Sequence, residues 1–177
     1  MNDVLAWLGP RGRDGGIDTI PLPSASGALS LCGKHAIGPD HTAAMTRCGA
    51  TTVVCLVEAF ELIDRYPEYL EWVVEECGNR TIWFPIPDLH APGVDAAADL
   101  LDDLVTRLDR GEHLLVHCAA GIGRAGTIAT CLLIRLGMTV DDALAHVAAH
   151  RPMAGPEVGA QQALVAAIAA RYGLRAS

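Results

Sequence analysis

The stretch His117-Cys118-Ala119-Ala120-Gly121-Ile122-Gly123-Arg124-Ala125-Gly126-Thr127 decides how the rest of this 177-residue chain is read. It is preceded by His113-Leu114-Leu115-Val116-His117, an apolar run of strand length, and continues into the apolar run Ala125 to Ile134, which suits a helix. A tight loop between a strand and a helix turns backbone N–H groups into one concavity, and the helix N-terminus adds partial positive charge. Gly121 and Gly123 supply backbone freedom for the turn. The cradle formed by Ala119, Ala120, Gly121, Ile122, Gly123 and Arg124 suits a tetrahedral dianion such as a phosphate. Arg124 can close it with paired hydrogen bonds to two phosphate oxygens.

Cys118 lies at the base of this cradle. A free thiol titrates near ~8.5, and a helix N-terminus or neighbouring cations lower that value. The donors that hold a phosphate therefore also favour a thiolate, and a thiolate facing phosphorus is a nucleophile. His117 is expected to fix the loop through hydrogen bonds. The plainer reading takes Cys118 as a core residue and Arg124 as a solvated charge. It has to treat as coincidence the combination of His, Cys, two glycines and Arg in a strand-loop-helix context.

Attack on a phosphate ester needs a general acid to protonate the leaving oxygen. Phe84-Pro85-Ile86-Pro87-Asp88-Leu89 supplies the candidate, Asp88, on a loop stiffened by two prolines. Asp95, Asp99, Asp102 and Asp103 read as solvated charges on the following helix, and His90 as a surface residue.

Outward from these motifs, strands are expected over 17–22, 28–32, 51–57, 81–84 and 113–117. Helices are expected from about 39 to 49, 67 to 77, 94 to 110, 124 to 136, 140 to 150 and 157 to 172. Strands alternating with helices predict an α/β fold with a central, mostly parallel sheet flanked by helices. The chain reads as one domain over 1–177 with a loop-rich segment over 1–16, and residues 9–16 read as a surface loop. Cys32-Gly33-Lys34-His35 reads as a surface turn, with a place on the pocket rim as the alternative.

Composition narrows the function. The net charge of −8 argues against nonspecific nucleic-acid or anionic-membrane binding while leaving room for a local anion site. The six cysteines include no Cys-x-x-Cys pair, so no metal site is expected. Residues 1–10 lack the pattern of a signal peptide, and a cytoplasmic protein with reduced thiols is expected.

His117 to Gly126 resembles the signature of the cysteine-dependent protein tyrosine phosphatases, in which His-Cys is followed by five residues, Arg, and usually Ser or Thr. Pro85-Ile86-Pro87-Asp88 resembles the acid loop of the compact dual-specificity branch, and Arg151-Pro152 with Gln161-Gln162 resembles its late segment. The resemblance implies a phosphatase-like fold, no cofactor, and hydrolysis of phosphate monoesters, mainly phosphotyrosine with phosphoserine or phosphothreonine second, on proteins or peptides. It implies Cys118 as nucleophile, Asp88 as acid and then base, Arg124 as charge stabiliser, and Gln162, more than Gln161, beside the attacking water. Ala125 departs from the pattern: the missing hydroxyl predicts slower breakdown of the phosphocysteine, and Thr127 points in another helical direction. The resemblance also brings Cys55 forward as a redox partner of Cys118, against its plainer reading as core. Two other readings stay open: a catalytically impaired phosphate-binding module, and a phosphatase for inositol phosphates or other small phosphoesters. The uncharged interior of the loop ranks lipid substrates lower.

Overall fold

The computed structural model describes residues 11–173. Its elements are β1 (Ile17–Ile20), β2 (Ala28–Gly33), α1 (Lys34–Ile37), α2 (His41–Cys48), β3 (Thr52–Cys55), α3 (Phe60–Ile63), α4 (Pro67–Glu75) and β4 (Thr81–Trp83). They continue with α5 (Val94–Asp109), β5 (His113–Cys118), α6 (Gly123–Arg135), α7 (Val140–His150) and α8 (Gly159–Arg171). The sheet order is β1-β2-β5-β3-β4, with β1 antiparallel to β2 and every other pair parallel.

The strand that carries the signature is thus the central one. Leu114, Leu115 and Val116 are fully buried between β2 and β3. The carboxyl ends of β2, β5 and β3 lie side by side, Gly33 opposite Cys118 and Cys55 opposite His117. Crevices at that edge of a parallel sheet are where α/β proteins bind ligands.

Helix α6 explains its own apolar sequence, since every residue from Gly123 to Ile134 is buried. It packs on β5 and β2, with α5, α7 and α8 around it. A helix enclosed on all sides has no polar face to show in sequence. The helix starts differ in a telling way. Asp40 caps α2 through Ala43 N at 2.8 Å, and Thr139 caps α7 through Asp142 N at 3.2 Å. Helix α6 has no side-chain cap, as is also true of α4, α5 and α8.

Three expectations are corrected. Lys34 and His35 open a short helix, α1, rather than a surface turn. The 58–66 stretch, where no element is expected, contains α3, a single turn too short for a periodic pattern. Residues 11–14 are helical and only 15 and 16 keep the expected irregular form, whereas 9 and 10, with the rest of the segment scanned for a signal peptide, fall outside the described residues. Among the described residues, no helix is long and apolar enough to cross a membrane.

Candidate active site

The loop between β5 and α6 is held from outside by its carbonyls. Ala119 O accepts from Lys34 N at 3.0 Å, and Ile122 O from Gly126 N at 2.9 Å and Gly155 N at 3.1 Å. Arg151, itself buried, supplies the other two bonds: Nη2 to Ala120 O at 2.9 Å and Nε to Gly121 O at 2.7 Å. In a trans peptide, each carbonyl is antiparallel to the N–H of the next residue. Four carbonyls turned outward therefore turn the amides of Ala120, Gly121, Ile122 and Gly123 inward. Among the described residues, none of the amides of 119–122 donates to a backbone carbonyl. A row of converging, unpaired donors is an anion cradle.

Gly121 has φ +73, and a Cβ there would strike the backbone carbonyl of Cys32. Gly123 has a different reason: a Cβ there would run into the Glu157 carboxylate. The first glycine is required by conformation and close approach to backbone, whereas at the second a side chain would only displace the exposed Glu157 carboxylate.

Cys118 ends β5 at this cradle and is 3% exposed. Behind it, fully buried His117 shares a hydrogen bond at Nε2 with the Tyr69 hydroxyl at 2.6 Å, while its Nδ1 lies 3.3 Å from Cys118 O. Burial holds the imidazole's pKa down to about 4, so it is neutral at pH 7. A neutral ring bonded to the Cys118 carbonyl holds the backbone at the end of β5. Cys55, across the sheet from His117, is fully buried, and burial pushes its thiol up to about 12.

Arg124 is anchored on one edge. Its Nη1 donates to Glu61 Oε2 and to Ile86 O, and its Nη2 to Glu61 Oε1, each at 2.8 Å. Five N–H donors less three leave Nε–H and one Nη2–H for an anion. Glu61 is missing from the sequence reading. Its Oε2 also accepts from Glu58 N at 2.9 Å, and its backbone oxygen accepts from Lys34 Nζ at 2.9 Å. Burial works to raise its carboxyl pKa, but the bonds from Arg124 and Glu58 outweigh it and the net shift is downward.

Asp88 reaches the site from the facing loop, with Oδ1 3.4 Å from Arg124 Nη2, and its side chain remains 69% exposed. Ile86 anchors that loop: it is buried, its N–H donates to Leu56 O at 3.0 Å, and its oxygen takes the Arg124 bond. Leu89, next to Asp88, has φ +59, a conformation that costs energy for a branched residue and tends to occur where function fixes the backbone. Of the two glutamines, Gln161 is the one tied to the loop that carries Asp88. It is buried, accepts from Glu157 N at 2.8 Å, and donates to His90 O at 3.3 Å on the acid loop. Gln162, its neighbour, is exposed.

Ala125 is fully buried at the start of α6. Thr127 donates its hydroxyl proton to Gly123 O at 2.7 Å, so that proton is already committed within the helix. Among the described residues, no group of three or more His, Cys, Asp or Glu side chains could hold a metal ion.

Known proteins are similar to this chain in sequence and in fold. Residues 29–171 match the family model described as "PTP-SAK: Swiss Army Knife protein, DSP-PTPase phosphatase domain". Human cyclin-dependent kinase inhibitor 3 is 30% identical over 100 residues, covering 56% of this chain and 47% of that protein. Bovine protein tyrosine phosphatase type IVA 3 is 31% identical over 109 residues, covering 60% and 58%. The chain spans about half the length of the curated relatives it matches. Among solved structures, Tk-PTP in its active form superposes with a TM-score of 0.66 at 26% identity, over 87% of this chain and 97% of that one. Kinase associated phosphatase, with its catalytic cysteine replaced by serine, gives 0.74 at 22% identity over 89% and 96%, a likeness of fold.

Proposed function

The chain belongs to the DSP-PTPase family of phosphatase domains, and from that premise we propose that it hydrolyses phosphate monoesters on phosphorylated proteins or peptides, mainly phosphotyrosine, through a cysteinyl-phosphate intermediate. The Cys118 thiolate attacks phosphorus while the ester P–O bond breaks, and Asp88 gives its proton to the departing oxygen. Water then attacks the phosphocysteine, Asp88 takes its proton, and the thiolate leaves. The free edge of Arg124 and the inward amides of 120–123 stabilise charge on the transferring group. Gln161 is assigned to positioning the acid loop and the water, because it joins that loop to the segment before α8. His117 serves as a positioning residue, and the reaction uses no cofactor.

The observation that supports this reading most is the set of four outward-bonded carbonyls, which leaves a row of amides converging beside a cysteine and a guanidinium edge. A cytoplasmic setting is supported by six free cysteines. The test is release of an aryl phosphate: vanadate-sensitive turnover that disappears in Cys118→Ser is expected. Phosphate binding without release by the wild type would instead favour a phosphate-binding module, the reading to which buried Ala125 lends weight.

A further inference from the structure

Beside the signature loop lies a depression of about 380 Å³ that the mechanism above does not use. Ala119, Ala120 and Ile122 form one wall, and Arg11, Arg13 and His35 face them. A second depression of about 430 Å³ shares Arg13, Asp14 and His35 with the first and continues to Arg47 and Arg65. The two share part of their lining and run from the outer flank of the signature loop past Arg11, Arg13, Arg47 and Arg65, on a chain whose net charge is −8.

The acids in this groove are already engaged. Asp14 accepts from Gly16 N at 2.8 Å and from Arg47 at 3.2 Å, and Asp40 caps α2. Arg11 is paired with Asp18. Among the described residues, Arg13 and Arg65 have no carboxylate partner, and Arg65 lies over the Tyr66 ring, 5.6 Å from its centroid. Between them, His35 bonds the Tyr66 hydroxyl at 2.6 Å, and its pKa is lowered by partial burial and by the neighbouring cations Arg65 and Lys34. The groove therefore holds surplus positive charge along its length. Two guanidiniums without a carboxylate partner, brought to one depression by the segment before β1 and the turn after α3, suit an acidic stretch of chain passing the signature loop.

We propose that this groove, through Arg13 and Arg65, binds acidic residues flanking the phosphorylated residue of a peptide substrate. The proposal rests on the phosphatase reading and names the substrate class for that same cradle. Arg13 and Arg65 are specificity residues outside the reaction itself.

The test compares kcat/KM for phosphotyrosyl peptides with Asp or Asn at the positions flanking the phosphoresidue, on either side. The wild type is expected to favour the acidic series roughly fivefold, which is what two exposed ion pairs supply. The preference should shrink as salt is raised. Arg13→Ala/Arg65→Ala should abolish it and leave kcat/KM for a small aryl phosphate unchanged. Turnover of the aryl phosphate with no difference between acidic and neutral peptides would overturn the proposal alone. No turnover of any substrate would overturn the phosphatase reading beneath it. A preference that survives the double substitution, or a marked preference for an inositol bisphosphate over every peptide, would also overturn the proposal.

Discussion

Replacing Glu61 with glutamine isolates what the buried carboxylate does for Arg124. The carboxylate takes two bonds from the guanidinium, both at 2.8 Å. In Glu61→Gln the side chain would keep one acceptor and present an amide donor where the other oxygen was, so one charge-assisted bond is lost and two donors face each other. Bonds to charged groups contribute about 1.5–3 kcal/mol. A loss of about 2 kcal/mol in positioning the guanidinium, at about 1.4 kcal/mol per tenfold in rate, corresponds to roughly 30-fold in kcat/KM. The assay is aryl phosphate hydrolysis together with the inhibition constant of vanadate, which should weaken in parallel because the same Nε and Nη2 edge would hold both. Thermal denaturation of each variant separates this from a folding defect. Unchanged kcat/KM in a stably folded Glu61→Gln protein would refute the idea that this pair aims Arg124.

Further outcomes follow from other contacts. Ala125→Ser should speed phosphocysteine breakdown by about tenfold or more, read as a smaller burst in rapid-quench kinetics, whereas Thr127→Val should leave that step unchanged because its hydroxyl proton is held by Gly123 O. His117 should make stability pH-dependent: its folded pKa of about 4 lies below the ordinary 6.5, so between these values the unfolded chain binds the extra proton and stability falls as pH drops. From pH 7 to 5 this contributes about 2 kcal/mol, visible as a shift in denaturant midpoint that His117→Gln should largely remove. Arg151→Met should cost about 3 kcal/mol or more, since it leaves the Ala120 and Gly121 carbonyls without their donor and Asp18 with Arg11 alone, and should raise KM along with lowering Tm. Asp88→Asn should lower kcat by about 10²-fold or more with a small effect on phosphate affinity, and should lose the basic limb of the pH profile.

The long elements were legible because their signals are local. The β-branched run at 52–55, the apolar spacing of 94–109 closed by Gly111, and Asp40 with Gly49 bracketing α2 each carry their own evidence in neighbouring residues. The cradle was legible for the same reason: nucleophile, glycines and arginine occupy seven consecutive positions. The parts that stayed hidden depend on partners far along the chain. Glu61 is 63 residues from Arg124 and sits on a one-turn helix with no periodic pattern. The topology held a clue, since Glu61 follows the carboxyl end of β3, the same sheet edge where Cys118 lies. Arg151 clamps a loop 30 and 31 residues earlier, and nothing beside it in sequence announces that. Gln161 and Gln162 are neighbours with the same chemistry, and only the rotation of α8 decides which one is buried toward His90.

The claim on which the account rests is that the sulfur of Cys118 carries the phosphoryl group during turnover. Acid quenching of the wild type during hydrolysis of an aryl phosphate, followed by peptide mass analysis, tests it directly. The account predicts one phosphoryl group on the peptide containing Cys118, absent from Cys118→Ser, which should also be inactive. Sustained turnover by Cys118→Ser, or phosphate release by the wild type at a rate that no phosphorylated cysteine accompanies, would contradict it.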